Sequence, residues 1–236
     1  MRLREFSNND FVTVNADLNP KLWEEGRLNG EVRLQLIKIA RAFVDFVGID
    51  LDIKDYTITG SNANYTWSKY SDLDLHVIIE GDVTDEQREL FTAKKALWAE
   101  YHDITVKGLP VECYVQGETE THHSTGVYSI VNSAWIIKPQ KTEPELDDQA
   151  VEAKKDSMLS LIEQALLSKD LEKLRTVKDK ITVMRRAGLD RAGEWSVENV
   201  VFKILRNLGL IDQITEKIRE LEDDELSLEQ QTNVLD

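Results

Sequence analysis

Two carboxylates alternate with apolar residues in one short stretch of the chain, Asp72-Leu73-Asp74-Leu75-His76. Side chains alternate between the two faces of a β-strand, so we expect Asp72, Asp74 and His76 to share one face and the leucines to point into a core. Two acids side by side repel each other unless a cation lies between them. Because magnesium prefers carboxylate oxygens and keeps positions open for phosphate, the pattern predicts a Mg²⁺ site on this face.

A Gly-Ser pair precedes Asp72 with ten residues between them, and it provides the second element of the predicted site. Gly60 lets the backbone approach a ligand closely and adopt dihedrals that other residues avoid. Ser61 offers a hydroxyl and a backbone N–H where a short helical turn begins, and such a start attracts anions. The sequence therefore predicts a phosphate-binding turn beside a magnesium-binding strand.

The order Gly-Ser, ten residues, then Asp-Leu-Asp on a strand resembles the DNA polymerase beta-like nucleotidyltransferase superfamily. Gly60, Ser61, Asp72 and Asp74 carry the resemblance, and a serine at the position of Ser71 is frequent in that family. The resemblance implies that the two aspartates hold two magnesium ions and that Gly60 and Ser61 bind the phosphates of a nucleoside triphosphate.

The same family has a third carboxylate on a later strand. Leu109–Val115 is an apparent strand in which Glu112 faces away from the apolar positions. The resemblance implies that Glu112 is the third metal ligand and a catalytic residue, and a candidate for taking the proton of the acceptor. One departure stands out, because small relatives carry Arg-Gly where this chain has Asn64-Tyr65.

An Asp-x-Asp pair by itself is weak evidence, since exposed strand faces carry acids routinely. Two functions therefore stay open. The first is an enzyme that moves a nucleoside monophosphate from a nucleoside triphosphate to a hydroxyl and releases pyrophosphate. The alternative is a catalytically degenerate module of the same fold that binds nucleotide or a partner protein without turnover.

Several residue periodicities predict the elements around this site. A helical pattern runs from Glu31 to Val47, and Thr84–Gln87 is typical of a capping box that opens a helix to about Tyr101. We expect Leu90, Ala93, Leu97 and Tyr101 to form the buried stripe of that second helix. Four further helical patterns follow a proline-containing boundary near 138–147.

These patterns predict an α+β fold, with a small mixed sheet and flanking helices of nucleotidyltransferase type followed by a helical half. We expect a catalytic domain over 1–143, a helical domain over 144–226 and an acidic, polar tail over 227–236.

The composition limits the class of protein. Apolar residues make up 41% of the chain, which is enough for a core, and no apolar run is long enough to span a membrane. A single cysteine, Cys113, excludes an internal disulfide and fits a reducing compartment. We expect a cytoplasmic protein without a membrane partner, in the host cytoplasm if it is phage-encoded, because Asn19–Trp23 and Gly193–Arg206 resemble uncharacterised tailed-phage proteins.

The net charge of −15 disfavours nucleic-acid binding over the whole surface. Between Lys169 and Arg206, however, ten basic residues outnumber six acidic ones. Either this segment is a solvated helix face or Lys178, Arg185 and Arg186 bind the triphosphate or a strand of RNA. The acceptor is left open among an RNA end, a nucleotide, a small molecule and a protein side chain, and so is the choice of nucleotide.

Overall fold

A computed structural model describes residues 14–121, 124–141 and 146–227. These residues form two compact units, a sheet unit within 12–143 and a helical unit within 144–236. The predicted tail lies outside the described residues except for Ser227. None of the helices in the described ranges is both long enough and apolar enough to cross a membrane.

The sheet unit contains a two-stranded hairpin and one six-stranded sheet. Their strands are β1 (Trp23–Glu24), β2 (Arg27–Leu28), β3 (Ile53–Thr59), β4 (Leu73–Ile79), β5 (Thr105–Val106), β6 (Leu109–Gly117), β7 (Val127–Ser129) and β8 (Ala134–Ile137). The hairpin pairs β1 with β2, and the six-stranded sheet has the order β5-β6-β4-β3-β7-β8. Strands β4 and β6 are parallel, whereas every other neighbouring pair is antiparallel. The two strands that carry the predicted acids are therefore neighbours.

Helix α1 (Gly30–Val47) leads into the sheet. It begins where the Asn29 side chain accepts hydrogen bonds from the first backbone N–H groups, and it ends at Gly48 in the left-handed conformation with φ +79°. Its apolar stripe packs on the side of the sheet where Leu73, Leu75 and Val77 are fully buried. The core therefore occupies one face of β4 and leaves the other face to polar side chains.

Helix α2 (Asp85–Tyr101) connects β4 to the parallel strand β6 and opens with the predicted capping box between Thr84 and Gln87. The predicted buried stripe of this helix is wrong. Phe91 and Trp98 are buried instead, and the Trp98 ring meets the ring of Phe43 of α1 in a T-shaped contact at 5.6 Å. Two large aromatic rings bury more apolar area than leucine and alanine, so they decide which face of α2 packs.

The helical unit consists of α3 (Asp148–Ser168), α4 (Leu171–Ala192), α5 (Val197–Asn207) and α6 (Leu210–Leu226). The side chains of Asp147, Asp170 and Ser196 cap the first three of these helices, and each accepts a hydrogen bond from a first-turn N–H. Apolar residues at helical spacing form their buried faces. The mixed sheet with flanking helices, followed by a set of helices, confirms the predicted α+β class.

Candidate metal centre

The register of the sheet places the second and third predicted acids side by side. Asp74 of β4 lies opposite Glu112 of the parallel strand β6 and opposite Thr59 of the antiparallel strand β3. Directly opposite residues on neighbouring strands point to the same face, and this face is turned away from the core. Three strands therefore supply one row of polar side chains in the order Thr59, Asp74, Glu112.

Asp72, the residue directly before β4, lies next to this row. The side-chain amide of Asn62 donates to the carbonyl oxygen of Asp72 at 2.6 Å and holds the chain at the point where the strand begins. Carboxylate oxygens of Asp72, Asp74 and Glu112 all lie within 4.8 Å of one another, and all three residues are half-buried. Three carboxylates this close form the ligand set that a hard divalent cation prefers.

Gly60 lies directly against the carboxylate of Asp74. Its φ is +70°, and a Cβ built on it would stand 1.9 Å from Oδ2 of Asp74. The Gly60 N–H donates to the Ser124 hydroxyl at 3.1 Å, and that hydroxyl donates in turn to the carbonyl oxygen of Gly126 at 2.8 Å. The backbone at Gly60 is thus fixed over the acid, and only a glycine fits there.

A short 3₁₀ turn, Ser61–Ala63, follows Gly60, as the Gly-Ser pair predicted. The Ser61 hydroxyl donates to the hydroxyl of Ser71 at 2.8 Å, which ties the turn to the residue before Asp72. The Ser71 oxygen also accepts from the N–H of Ser68 at 2.9 Å. The loop between β3 and β4 is therefore closed on itself by the serines at its two ends.

Asn62 stabilises this turn from its buried side, a role that the sequence analysis did not predict. The residue is fully buried, and its side-chain oxygen accepts from the amide of Asn19 at 2.8 Å. Its backbone carbonyl accepts from the indole N–H of Trp23 at 2.7 Å. No sequence pattern pointed to Asn62, because its partners come from a segment some forty positions earlier in the chain.

Asn64 is one of the two residues at which the sequence differs from the Arg-Gly pattern, and its side chain stabilises the loop after the turn. The side chain is buried, donates to the Thr125 hydroxyl and accepts from the N–H of Tyr65. The bond to Thr125 joins the loop after the turn to the segment before β7. Asn64 thus holds this loop in place.

Lys95 and Tyr114 hold the third acid. The Lys95 ammonium lies 2.9 Å from Oε2 of Glu112, and the Tyr114 hydroxyl donates to the same oxygen at 2.6 Å. The Lys95 Nζ also stands 3.5 Å from the centre of the Tyr114 ring. The sequence analysis did not predict this role of Lys95, because we expected a different face of α2 to be buried.

The surroundings of Glu112 keep it ionised. Burial by itself raises the pKa of its carboxyl, but the hydrogen bond from Tyr114 and the charge and hydrogen bond of Lys95 outweigh burial and lower the pKa to about 2. Burial, followed by the charges of Glu112 and Asp74, raises the pKa of the Tyr114 hydroxyl. Glu112 is therefore a permanent carboxylate and Tyr114 a permanent hydrogen-bond donor at neutral pH.

His76 lies in the next row of the same face, between Thr57 and Tyr114. The Gln116 side-chain nitrogen donates to the Glu120 carbonyl at 3.3 Å, so the Gln116 oxygen faces Nδ1 of His76 at 2.7 Å and accepts its proton. The imidazole ring stacks on the ring of Tyr114 with centroids 4.8 Å apart. On the other side, Nε2 of His76 lies 3.2 Å from the hydroxyl oxygen of Thr59 of β3, so neighbours on both adjoining strands orient the ring.

Cys113 lies on the opposite, core face of β6. It is buried in the core, and burial raises the pKa of its thiol to about 12. A thiol in that state is a packing residue and not a nucleophile.

The three predicted basic residues belong to the helical unit. Lys178, Arg185 and Arg186 are on α4; Lys178 is half-buried, and the two arginines are exposed. The Arg185 guanidinium lies over the ring of Phe202 of α5 at 4.2 Å. Their part in binding a nucleotide stays a prediction.

No protein-family model matches the sequence, and no curated protein matches it. Among solved structures, the chain is similar to a STING-associated CdnE c-di-GMP synthase from Capnocytophaga granulosa. The two chains are 13% identical, and the match covers 84% of each. With a TM-score of 0.25 this likeness is too low to support an inference about function, which must come from the chain's own residues.

Proposed function

We propose that this protein is a metal-dependent nucleotidyltransferase that moves a nucleoside monophosphate from a nucleoside triphosphate to a hydroxyl. The observation that carries the proposal is the joint geometry of Gly60 and the acids. A backbone turn lies against the Asp74 carboxylate where any Cβ would collide with it, and Asp72 and Glu112 complete a cluster within 4.8 Å. If Asp74 only faced solvent, no backbone segment would need to approach its carboxylate as closely as Gly60 does.

Asp72, Asp74 and Glu112 are the residues that would hold the metal, and their all-oxygen ligand set fits magnesium. We expect two ions, as the family resemblance implies. When bound, the metal neutralises phosphate charge and favours the deprotonated form of the acceptor hydroxyl. The Glu112 carboxyl, with its pKa of about 2, is too weak a base to take that proton efficiently, so its role in the proposal is that of a ligand.

Gly60 and Ser61 would bind the phosphates. The turn that they open lies beside the acids, and a bound phosphate would take over the hydroxyl proton that Ser61 otherwise donates to Ser71. In the reaction, the acceptor oxygen forms a bond to the α-phosphorus, and the bond from that phosphorus to its bridging oxygen breaks. Pyrophosphate leaves with the electron pair of that bond, and the acceptor proton passes to solvent. Alignment of these groups and stabilisation of their charge supply most of the catalysis.

The rest of the assignment is part of the same proposal. Catalysis is assigned to the domain at 1–143, with a helical domain at 144–226 and a tail at 227–236. Lys178, Arg185 and Arg186 are kept as further nucleotide-binding residues, on the ground of charge alone. Charge reversal of all three should raise the KM for triphosphate while circular dichroism stays unchanged, and an unchanged KM would remove them from the site.

The test uses labelled nucleoside triphosphates and magnesium, first without an added acceptor and then with total RNA. Cyclic, oligomeric or RNA-linked products would identify the acceptor class. Asp74→Asn should lower product formation by a factor on the order of 10² or more, since it removes a charged ligand while keeping the shape of the side chain. Full pyrophosphate release by this variant with a working acceptor would refute the proposal.

A second candidate is the degenerate module that binds without turnover. The observation in its favour is that Asn64, which replaces the family's arginine, is committed to Thr125 and to the backbone of Tyr65. Calorimetry of each triphosphate with calcium, followed by a product assay in magnesium, separates the two candidates. Tight binding with no product from any acceptor would favour the module.

A further inference from the structure

We propose that the ammonium group of Lys95 competes with a divalent metal ion for the carboxylate of Glu112. Lys95 thereby weakens metal binding to the three acids as long as no nucleotide is present. This inference rests on the proposed function, because it concerns the same three carboxylates. It assigns to Lys95 a role in setting metal affinity, in addition to its packing on α2.

The first observation is the position of the ammonium. Nζ of Lys95 is 2.9 Å from Oε2 of Glu112, and an oxygen of that carboxylate lies within 4.8 Å of those of Asp72 and Asp74. A cation bound by the cluster would share the Glu112 carboxylate with the ammonium. Two positive charges on one carboxylate repel each other, and the half-buried surroundings screen this repulsion less than bulk water does.

The second observation is that the ammonium is held in place. Its Nζ lies 3.5 Å from the centre of the Tyr114 ring, at cation–π distance, and the Tyr114 hydroxyl donates to the same carboxylate oxygen. Phe91 and Trp98, buried four residues before and three residues after Lys95, fix the helix that carries it. A lysine with these contacts is oriented toward Glu112 and is not a mobile surface charge.

The third observation is the balance of charge. Carboxylates that bind a metal are deprotonated, so the three acids together with the Lys95 ammonium carry a net charge of −2, which a single divalent ion balances. A further divalent ion would make the cluster positive until the phosphates of a nucleotide arrive. Binding of the second metal ion therefore depends on the nucleotide, and the charge of Lys95 is what creates this dependence.

The chain offers a matched control one residue away. Lys94 is also half-buried on α2, but its ammonium donates to the carbonyl oxygen of Phe46 at 3.0 Å and makes no contact with the acids. Lys94→Met and Lys95→Met therefore remove the same charge from neighbouring positions of the helix. Only the second change removes it from the carboxylate.

The experiment is a titration of the metal-free full chain with Mn²⁺, in which electron paramagnetic resonance reports the free ion. We expect Lys95→Met to bind Mn²⁺ roughly tenfold more tightly than the unaltered chain, because a repelling charge is gone. Lys95→Arg and Lys94→Met should bind like the unaltered chain. A purely structural role of Lys95 would instead give weaker binding in Lys95→Met, so thermal unfolding without metal is measured for every variant.

The possible results separate this inference from the proposed function. If the unaltered chain binds Mn²⁺, Asp74→Asn abolishes the binding and Lys95→Met changes nothing or weakens it, then the inference is wrong and the metal centre stands. If only Lys95→Met binds Mn²⁺, the inference holds even without measured turnover. If neither the unaltered chain nor Lys95→Met binds the ion, the metal centre and the inference both fail.

Discussion

The backbone of Gly60 lies so close to the side chain of Asp74 that a Cβ at residue 60 would stand 1.9 Å from Oδ2 of the acid. Gly60 belongs to the loop after β3 and Asp74 to the antiparallel partner strand β4, so their contact brings the turn at 61–63 to the carboxylates. The glycine is needed for two separate reasons, its φ of +70° and the space occupied by Asp74.

Gly60→Ala should disable the site. The added methyl group displaces the Asp74 carboxylate, so we expect nucleotidyl transfer and Mn²⁺ affinity to fall by a factor on the order of 10². The strained backbone should also lower the free energy of unfolding by about 1–3 kcal/mol. Steady-state kinetics and urea unfolding measure the two effects.

Gly26→Ala is the matched control for this variant. Gly26 has a φ of +77°, but nothing lies within 4 Å of the Cβ that alanine would add. It therefore shares the backbone strain without the collision, and it should lose stability while keeping Mn²⁺ affinity. Equal losses of affinity in both glycine variants would show that backbone strain, not contact with Asp74, is the cause.

Tyr114→Phe should raise the pKa of Glu112. Burial raises this pKa, but Tyr114 and Lys95 lower it below the ordinary 4.5 to about 2. Ionised Glu112 therefore stabilises the fold above about pH 4.5, and this contribution is lost as the pH falls through about 2. Without the tyrosine hydroxyl the carboxyl should take up its proton at a higher pH and contribute less stability, and ¹³C NMR of the Glu112 carboxyl follows this titration directly.

Tyr101→Phe is the control for the loss of a hydroxyl, because Tyr101 is 66% exposed at the end of α2. It should leave the titration of Glu112 unchanged. An unchanged titration in Tyr114→Phe as well would mean that Lys95 and Asp72, without Tyr114, keep the pKa of Glu112 low.

Cys113 should be inert toward thiol reagents in the folded protein. Burial raises its pKa from 9.0 to about 12, so its thiolate fraction at pH 8 falls by about three orders of magnitude, and the core also blocks access. The absorbance change with a disulfide reagent should appear only when urea unfolds the chain. Rapid labelling in the absence of urea would show that β6 opens far more often than a core strand should.

Asn62→Ala should destabilise the turn that carries the site. It removes the buried bond from Asn19 and the partly buried bond to the Asp72 carbonyl, so we expect the free energy of unfolding to fall by about 1–3 kcal/mol. Mn²⁺ affinity should fall with it, because Asp72 loses its support. Urea unfolding and the Mn²⁺ titration measure both changes.

Asn19→Ala completes a double-mutant cycle with Asn62→Ala. The two residues share one hydrogen bond, with the amide of Asn19 2.8 Å from the side-chain oxygen of Asn62. The double variant should therefore lose less stability than the two single variants together. Strict additivity would mean that this bond contributes nothing to the stability of the turn.

Sequence reasoning failed at α2 for a physical reason. The predicted stripe has regular helical spacing and consists of Leu90, Ala93, Leu97 and Tyr101. Phe91 and Trp98 are larger, however, and the Trp98 ring meets the aromatic rings of α1. The choice between two apolar faces depends on what the partner helix offers, which the spacing within α2 does not contain. Lys95 was missed for the same reason, since its direction follows from the face that packs.

The amino-acid sequence by itself determined the local features. Strand alternation put Asp74 on the face opposite Leu73 and Leu75, the capping residues set where helices begin, and the Gly-Ser pair predicted the turn at 61–63. Each of these features depends on residues a few positions apart, so local sterics and hydrogen bonding are sufficient to specify it.

Only the tertiary structure decided which of these features meet. The parallel register of β4 and β6 sets Glu112 beside Asp74, the packing of α2 brings Lys95 to Glu112, and the fold of the loop after β3 presses Gly60 against Asp74. These contacts join residues far apart in the chain, and their geometry depends on how complete elements fill the core together. The acids, the glycine and the serine of the site could therefore be predicted from the sequence. The distances between them, and the pairing of Lys95 with Glu112, could be known only from the tertiary structure.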